Sequence, residues 1–91
     1  MKISEKIKKR LEAANKRYWA NDNISEFIEN DEKEKLIDEA VDAFEQVLDS
    51  LVIDRNTDPN SKGTARRMAK MYINEIMSGR YEPMPLSLIH I

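Results

Sequence analysis

The chain has no cysteine, one histidine, one tryptophan, two glycines and three prolines in its 91 residues. Without cysteine, neither a disulfide framework nor a thiolate metal site is available. No run of about 18 apolar residues exists, which excludes a membrane-spanning helix. The basic start, Lys2 to Arg10, lacks the apolar stretch of a secretory signal, so a cytoplasmic location is expected. Neither glycine nor proline occurs before Pro59. Ninety-one residues suffice for one small domain, and a chain of this size buries only about 60% of the surface its unfolded form exposes.

What the chain does have is a strong partition of charge beneath a net charge of −2. Residues 1–20 carry seven Lys/Arg against two acidic residues, residues 21–54 two against twelve, and residues 55–91 six against three. Neighbouring segments of opposite sign attract when packed together. Three helices with charged, solvated faces account for this pattern, and the acidic middle argues against a nucleic-acid partner.

The hydrophobic periodicity predicts about three helices and an all-α fold. Ile3, Ile7, Leu11, Ala14 and Tyr18 form one stripe at helical spacing, with Ser4 as N-cap and an end near residues 19–22, where Asn21-Asp22-Asn23 favours a turn. Ile24, Phe27 and Ile28 offer a short apolar patch. A second helix opens at Asp31 and Glu34, spaced as a capping box, with Glu32 and Glu34 favourably placed on the helix dipole. Its apolar face runs from Leu36 and Ile37 through Phe44 to Leu51 and Val52, too wide to leave unpartnered. Pro59 marks a firm stop for that helix. Gly63 can supply a positive φ, Thr64 an N-cap, and a third helix is expected over 65–78, closed by Gly79 as a left-handed C′ residue. Met68, Met71, Tyr72 and Ile76, with Ala69 and Ile73 on the flank, make its apolar face, while Tyr18 and Trp19 read as a packing anchor.

The stretch from Asp58 to Tyr72 carries the most specific wording. Asp58 and Pro59, Gly63 and Thr64, then Arg67, Ala69, Lys70, Met71 and Tyr72 stand in the order Asp-Pro, a few residues, Gly-Thr-Pro-x-Arg-x-Ala-Lys-Met-Tyr, with Ala65 where that pattern has proline. The pattern resembles the segment leading into the catalytic domain of the GTP cyclohydrolase I family. The resemblance is specific over residues 51–84, weaker over 30–50 and absent before 25. Proline at position 65 would have been the preorganised first helical residue, and alanine there remains helix-compatible.

The resemblance implies the all-helical amino-terminal part of an α+β (T-fold) subunit. It divides the chain into a basic helix and turn at 1–30 and the family's helical region at 31–85. The family's activity is hydrolysis of GTP to 7,8-dihydroneopterin triphosphate and formate, which opens tetrahydrofolate and other pterin synthesis. The family uses a zinc-activated water, the zinc held by two cysteines and a histidine, and assembles as a homodecamer. A further histidine, a basic triphosphate site and a glutamate that reads guanine complete its pocket. None of these maps onto this sequence, so the expectation is a truncated enzyme, inactive alone, with no catalytic, cofactor-binding or metal residue and no bound zinc. No membrane partner is expected, and the third helix is expected to expose apolar surface and self-associate.

Other sites read poorly. Arg66, Arg67 and Lys70 form a basic patch at a helix start, where anions are attracted, but a solvated or interface face explains them better. Lys62-Gly63-Thr64 lacks the earlier glycine of a phosphate-binding loop. Glu32, Glu34, Asp38, Glu39 and Asp42 share a helix without the Glu-x-x-His pairs of a di-metal bundle. The alternative to the enzyme fragment is a free-standing helical protein-binding or regulatory module docking through the Met-rich helix. The last six residues, Leu86-Ser87-Leu88-Ile89-His90-Ile91, match codon for codon the mosaic end of a transposon adapter, so 86–91 reads as a non-native tail.

Overall fold

A computed structural model describes residues 1–83, and the expectations for residues 84–91, including the adapter-derived tail, lie outside them. Among the described residues the chain is helical and has no strand. The elements are α1 (Ile3–Ala13), a 3-10 turn (Ser25–Phe27), α2 (Glu32–Ser50), α3 (Thr64–Met71), a π-helical turn (Tyr72–Ile76) and α4 (Ser78–Tyr81).

The stripe expected of the first helix forms its buried side, with Ile3, Ile7 and Leu11 all inside. The helix is shorter than its periodicity suggests. It stops at Ala13 because Asn15 turns left-handed at φ 55°, a conformation asparagine tolerates, and the Lys16 N–H closes on the Leu11 carbonyl. Tyr18 therefore returns to the core from a loop rather than from a fifth helical turn. Ser4 is not the cap: Lys2 holds that position in an extended conformation, and the Ser4 N–H donates to Glu39 Oε1 of α2 at 3.0 Å. One orphan donor of the first turn is thus satisfied by another helix.

At the start of α2 the capping interaction sits two residues earlier than Asp31 and Glu34 suggest. Asp31 occupies the cap position without a side-chain hydrogen bond, while Glu32 Oε1 reaches back to accept the Glu29 N–H at 2.9 Å. Glu32 wins because its carboxylate also meets Arg10. Asp31 pairs instead with Lys35, one turn on, at 3.3 Å. The helix ends at Ser50, and Val52 follows at φ 62°.

Two apolar clusters share the small core. Ile3, Ile7, Leu11 and Ile24 form one, covered by Tyr18, Phe27 and Ile28. Ile37, Ala69 and Ile73 form the other, between α2 and α3, with Ala40, Val41 and Phe44 around it. Leu36 and Tyr81 pack on both and join them. Ile37 is wholly buried, and so is Ala69, whose small side chain lets α3 approach α2.

The expected single helix over 65–78 is divided. Gly63 takes the cap position at φ 76°, as its freedom allows, and Thr64 becomes the first helical residue rather than the cap. After Met71 the hydrogen bonding widens, and the Met77 N–H donates to the Tyr72 carbonyl five residues back, at 2.9 Å. Gly79 does not end the helix. It lies inside α4 without a positive φ, because the chain continues until Arg80 and Tyr81 have engaged the amino-terminal part.

Candidate functional site

Three groupings of side chains could carry function. The first joins α1 to α2. Arg10 Nη2 donates to Glu32 Oε2 at 2.7 Å, Nη1 donates to Glu32 Oε1, and the same Nη1 donates to the Phe27 carbonyl at 2.9 Å. Glu32 is 5% exposed. The hydrogen bonds from Arg10 outweigh burial and, with the Glu29 N–H, hold its carboxyl at a pKa of about 2. Arg10 is raised in turn by Glu32. Both carboxylate oxygens of Glu32 accept hydrogen bonds from Arg10, so this is a clasp rather than a free acid or base. Sequence reading placed Glu32 on the helix dipole and did not single out Arg10; its position one turn after Ile7, beside the buried stripe, was the available signal.

The second grouping is the loop into α3. Asp58 accepts the Asn60 N–H at Oδ1 (2.9 Å) and the Ser61 hydroxyl at Oδ2 (2.7 Å), and these bonds lower its pKa. Arg55 is held by Glu45 at 3.0 Å and Asp49 at 2.8 Å. Of the basic patch, Arg66 donates to Asp38 at 3.1 Å and Arg67 donates to the Thr64 hydroxyl at 3.2 Å, while Lys70 is exposed. The cations that could have met an anion at the head of α3 are thus largely engaged within the chain.

The third grouping is apolar and exposed. Phe44 stacks on Tyr72, ring centroids 5.5 Å apart. Tyr72 and Met71 are each 40% exposed, Ile76 59%, Leu51 64% and Val52 91%. Of the methionines on and just after α3, Met68 and Met77 are half-buried and Met71 is exposed. Trp19 is no packing anchor, being 68% exposed with the Arg17 guanidinium 4.1 Å above its ring. Tyr18 does pack against the first cluster.

The carboxylates on α2 do not converge on one point. Glu32 meets Arg10, Asp38 meets Arg66 and Glu39 meets the Ser4 N–H. Among the described residues no three His, Cys, Asp or Glu side chains could hold a metal ion, and no helix is long and apolar enough to cross a membrane. Arg80 was not legible in the sequence at all. Its guanidinium donates to the carbonyls of Tyr18, Trp19 and Asp22, its own carbonyl accepts the Ile24 N–H at 2.8 Å, and Asn23 Nδ2 donates to the carbonyls of Gly79 and Glu82. Compared with family models, curated proteins and solved structures, the chain matches none.

Proposed function

We propose that this chain is the helical amino-terminal region of a GTP cyclohydrolase I subunit. The observation that carries the reading is the Asp58–Tyr72 segment. Its Asp-Pro turn is tied by the Asp58 carboxylate, Gly63 is left-handed at φ 76°, and Thr64 opens the amphipathic helix that bears Arg67, Ala69, Lys70 and Met71. Asp58, Gly63, Thr64 and Ala69 of the shared pattern thus serve the turn, the helix start and the contact with α2, and this supports the reading.

In this reading the whole protein converts GTP and water to 7,8-dihydroneopterin triphosphate and formate, for tetrahydrofolate and related pterin synthesis in the cytoplasm. Subunits associate as a homo-oligomer, a decamer in the family, with no nucleic-acid or membrane partner. The described residues do not fit the zinc such chemistry uses, since the chain has no cysteine and no three potential ligands converge. No step of the reaction is assigned to them. The role left to this region is to present the α3 head and the exposed Met71, Tyr72 and Ile76 to other parts of the assembly.

The exposed apolar side chains at the end of α2 and on the π turn also favour a second reading, a small helical module that docks on another protein. Sequencing the source gene through the codon for Pro85, by a method free of library adapters, separates the two. A frame that runs on into Cys and His at zinc-ligand spacing, with a product that releases formate from GTP, upholds the enzyme. A stop codon directly after Ile91 overturns it in favour of the module.

A further inference from the structure

The amino-terminal cluster does not close completely. A crevice of about 190 Å³ opens between α1, the loop at Tyr18 and α4. Its floor is Ile7, Leu11 and Ile24, each at most 5% exposed, with Leu36 beside them. The rings of Tyr18 and Tyr81 stand among its walls. The remaining lining groups are the Ser4 side of α1 and two cations, Lys8 and Arg80, and among the described residues no carboxylate lines it. Three acids stand nearby: Glu12 accepts the Tyr18 hydroxyl at 3.3 Å, Glu39 accepts the Ser4 N–H, and Asp22, its carboxyl lowered chiefly by Arg17 and also by Arg80, is held by Arg17 at 2.7 Å.

We propose that this crevice binds a small monocarboxylate with a compact apolar body, about the size of one aromatic ring. The volume suits it, since a dry apolar cavity of about 150 Å³ is enough to hold benzene. The floor supplies the apolar contact, and the two tyrosines supply ring edges and faces. The charge fits as well. Lys8 is exposed and makes no ion pair among the described residues. Arg80 uses three of its five N–H donors on the Tyr18, Trp19 and Asp22 carbonyls, leaving two for a carboxylate. A neutral ligand would forgo these cations, and a cationic one would meet them unfavourably.

The test is a ¹⁵N–¹H NMR titration of the 91-residue chain with benzoate, benzyl alcohol and benzylamine, and of Lys8→Glu, an exposed change that leaves the core intact. Benzoate is expected to give saturable shifts at Ile7, Leu11, Ile24 and Tyr81, with a Kd on the order of 1 mM for a ligand of this size. Lys8→Glu should weaken benzoate about three- to fivefold, as expected for one rim charge, and leave benzyl alcohol unchanged. The proposal is overturned if benzylamine binds as tightly as benzoate. It is equally overturned if benzoate fails to saturate by about 20 mM, or moves only the exposed lysines of α1.

Discussion

Arg10 and Glu32 face each other across the α1–α2 contact as a two-pronged ion pair, with the acid almost fully buried and the base about one-third exposed. The same guanidinium ties down the Phe27 carbonyl, so one side chain fixes α1, the 3-10 turn and the first turn of α2 together. Removing only one partner leaves the other unpaired, which costs more than the pair itself contributes.

The pair sets an acid limit on stability. Glu32 has its carboxyl lowered from 4.5 to about 2. A depressed pKa stabilises the fold fully above the unfolded value and loses that contribution as pH falls through the folded value. Unfolding free energy should therefore fall between pH 4.5 and 2. Glu32→Gln should lower stability by about 2 kcal/mol at pH 7, below the range for fully buried pairs because Arg10 remains partly solvated. Its curve should also flatten across that acid window. Urea titrations at pH 7, 4 and 3 check both; an unchanged acid slope in the variant would assign the loss to other carboxylates.

Ile37 is the most deeply buried large side chain and touches both Ala69 and Ile73. Ile37→Ala should cost about 3 kcal/mol, and Ile37→Val about 1. For a domain of this size the first is a large share of total stability. Thermal melts followed by circular dichroism measure the two, and a smaller loss for Ala than for Val would mean that α2 and α3 collapse around the gap.

Val52 is a β-branched residue at φ 62° and 91% exposed, so it carries backbone strain with little packing in return. Asparagine accepts that conformation more readily. Val52→Asn should raise stability by about 0.5–1 kcal/mol, about 4 °C in Tm. Gly63→Ala should act in the opposite direction, by about 1 kcal/mol, through φ alone, because among the described residues nothing beyond the chain neighbours lies within 4 Å of the added Cβ. A neutral Gly63→Ala would show that the loop relaxes.

Arg80→Ala should free the loop from Lys16 to Asn23 without unfolding α2 and α3. The Tyr18, Trp19 and Asp22 carbonyls lose their common donor but can return to water, so the cost in stability is about 1 kcal/mol. Trypsin cleavage after Arg17 should accelerate well beyond that change. Arg80→Lys should not restore protection, because an ammonium lacks the planar fork that reaches three carbonyls. Equal cleavage rates in wild type and Arg80→Ala would show that the loop is held by its backbone bonds alone.

Sequence periodicity located the helices well wherever burial follows one face. Ile3, Ile7 and Leu11, or Ile37, could be assigned from spacing because each stripe is packed by a long neighbour, whereas the third helix buries Ala65, Ala69 and Ile73 and leaves Met71, Tyr72 and Ile76 of its expected face exposed. Boundaries were legible only where backbone chemistry is local, as at Gly63. They were lost where a distant group decides. Asn15 ends α1 though Ala14 and Tyr18 continue its rhythm, and Glu32 displaces the expected cap because Arg10, 22 residues away, competes for it. Gly79 carried a signal for a helix end, but the contacts of Arg80 and Tyr81 override it. Of the candidate sites, the α3 head was visible as a motif. The crevice beside Tyr81 was not, since it draws on four separated segments.

The π turn at Tyr72–Ile76 makes this stretch sensitive to chain length rather than to residue type. Asn74 and Glu75 are exposed, so their side chains can be exchanged freely. Omitting either residue would let the helix close its ordinary hydrogen bonds, yet it would rotate everything downstream by about 100° around the axis. Arg80 and Tyr81 would then face away from the amino-terminal cluster. A one-codon deletion at this unremarkable surface position should therefore be tolerated by the local helix and rejected by the molecule as a whole.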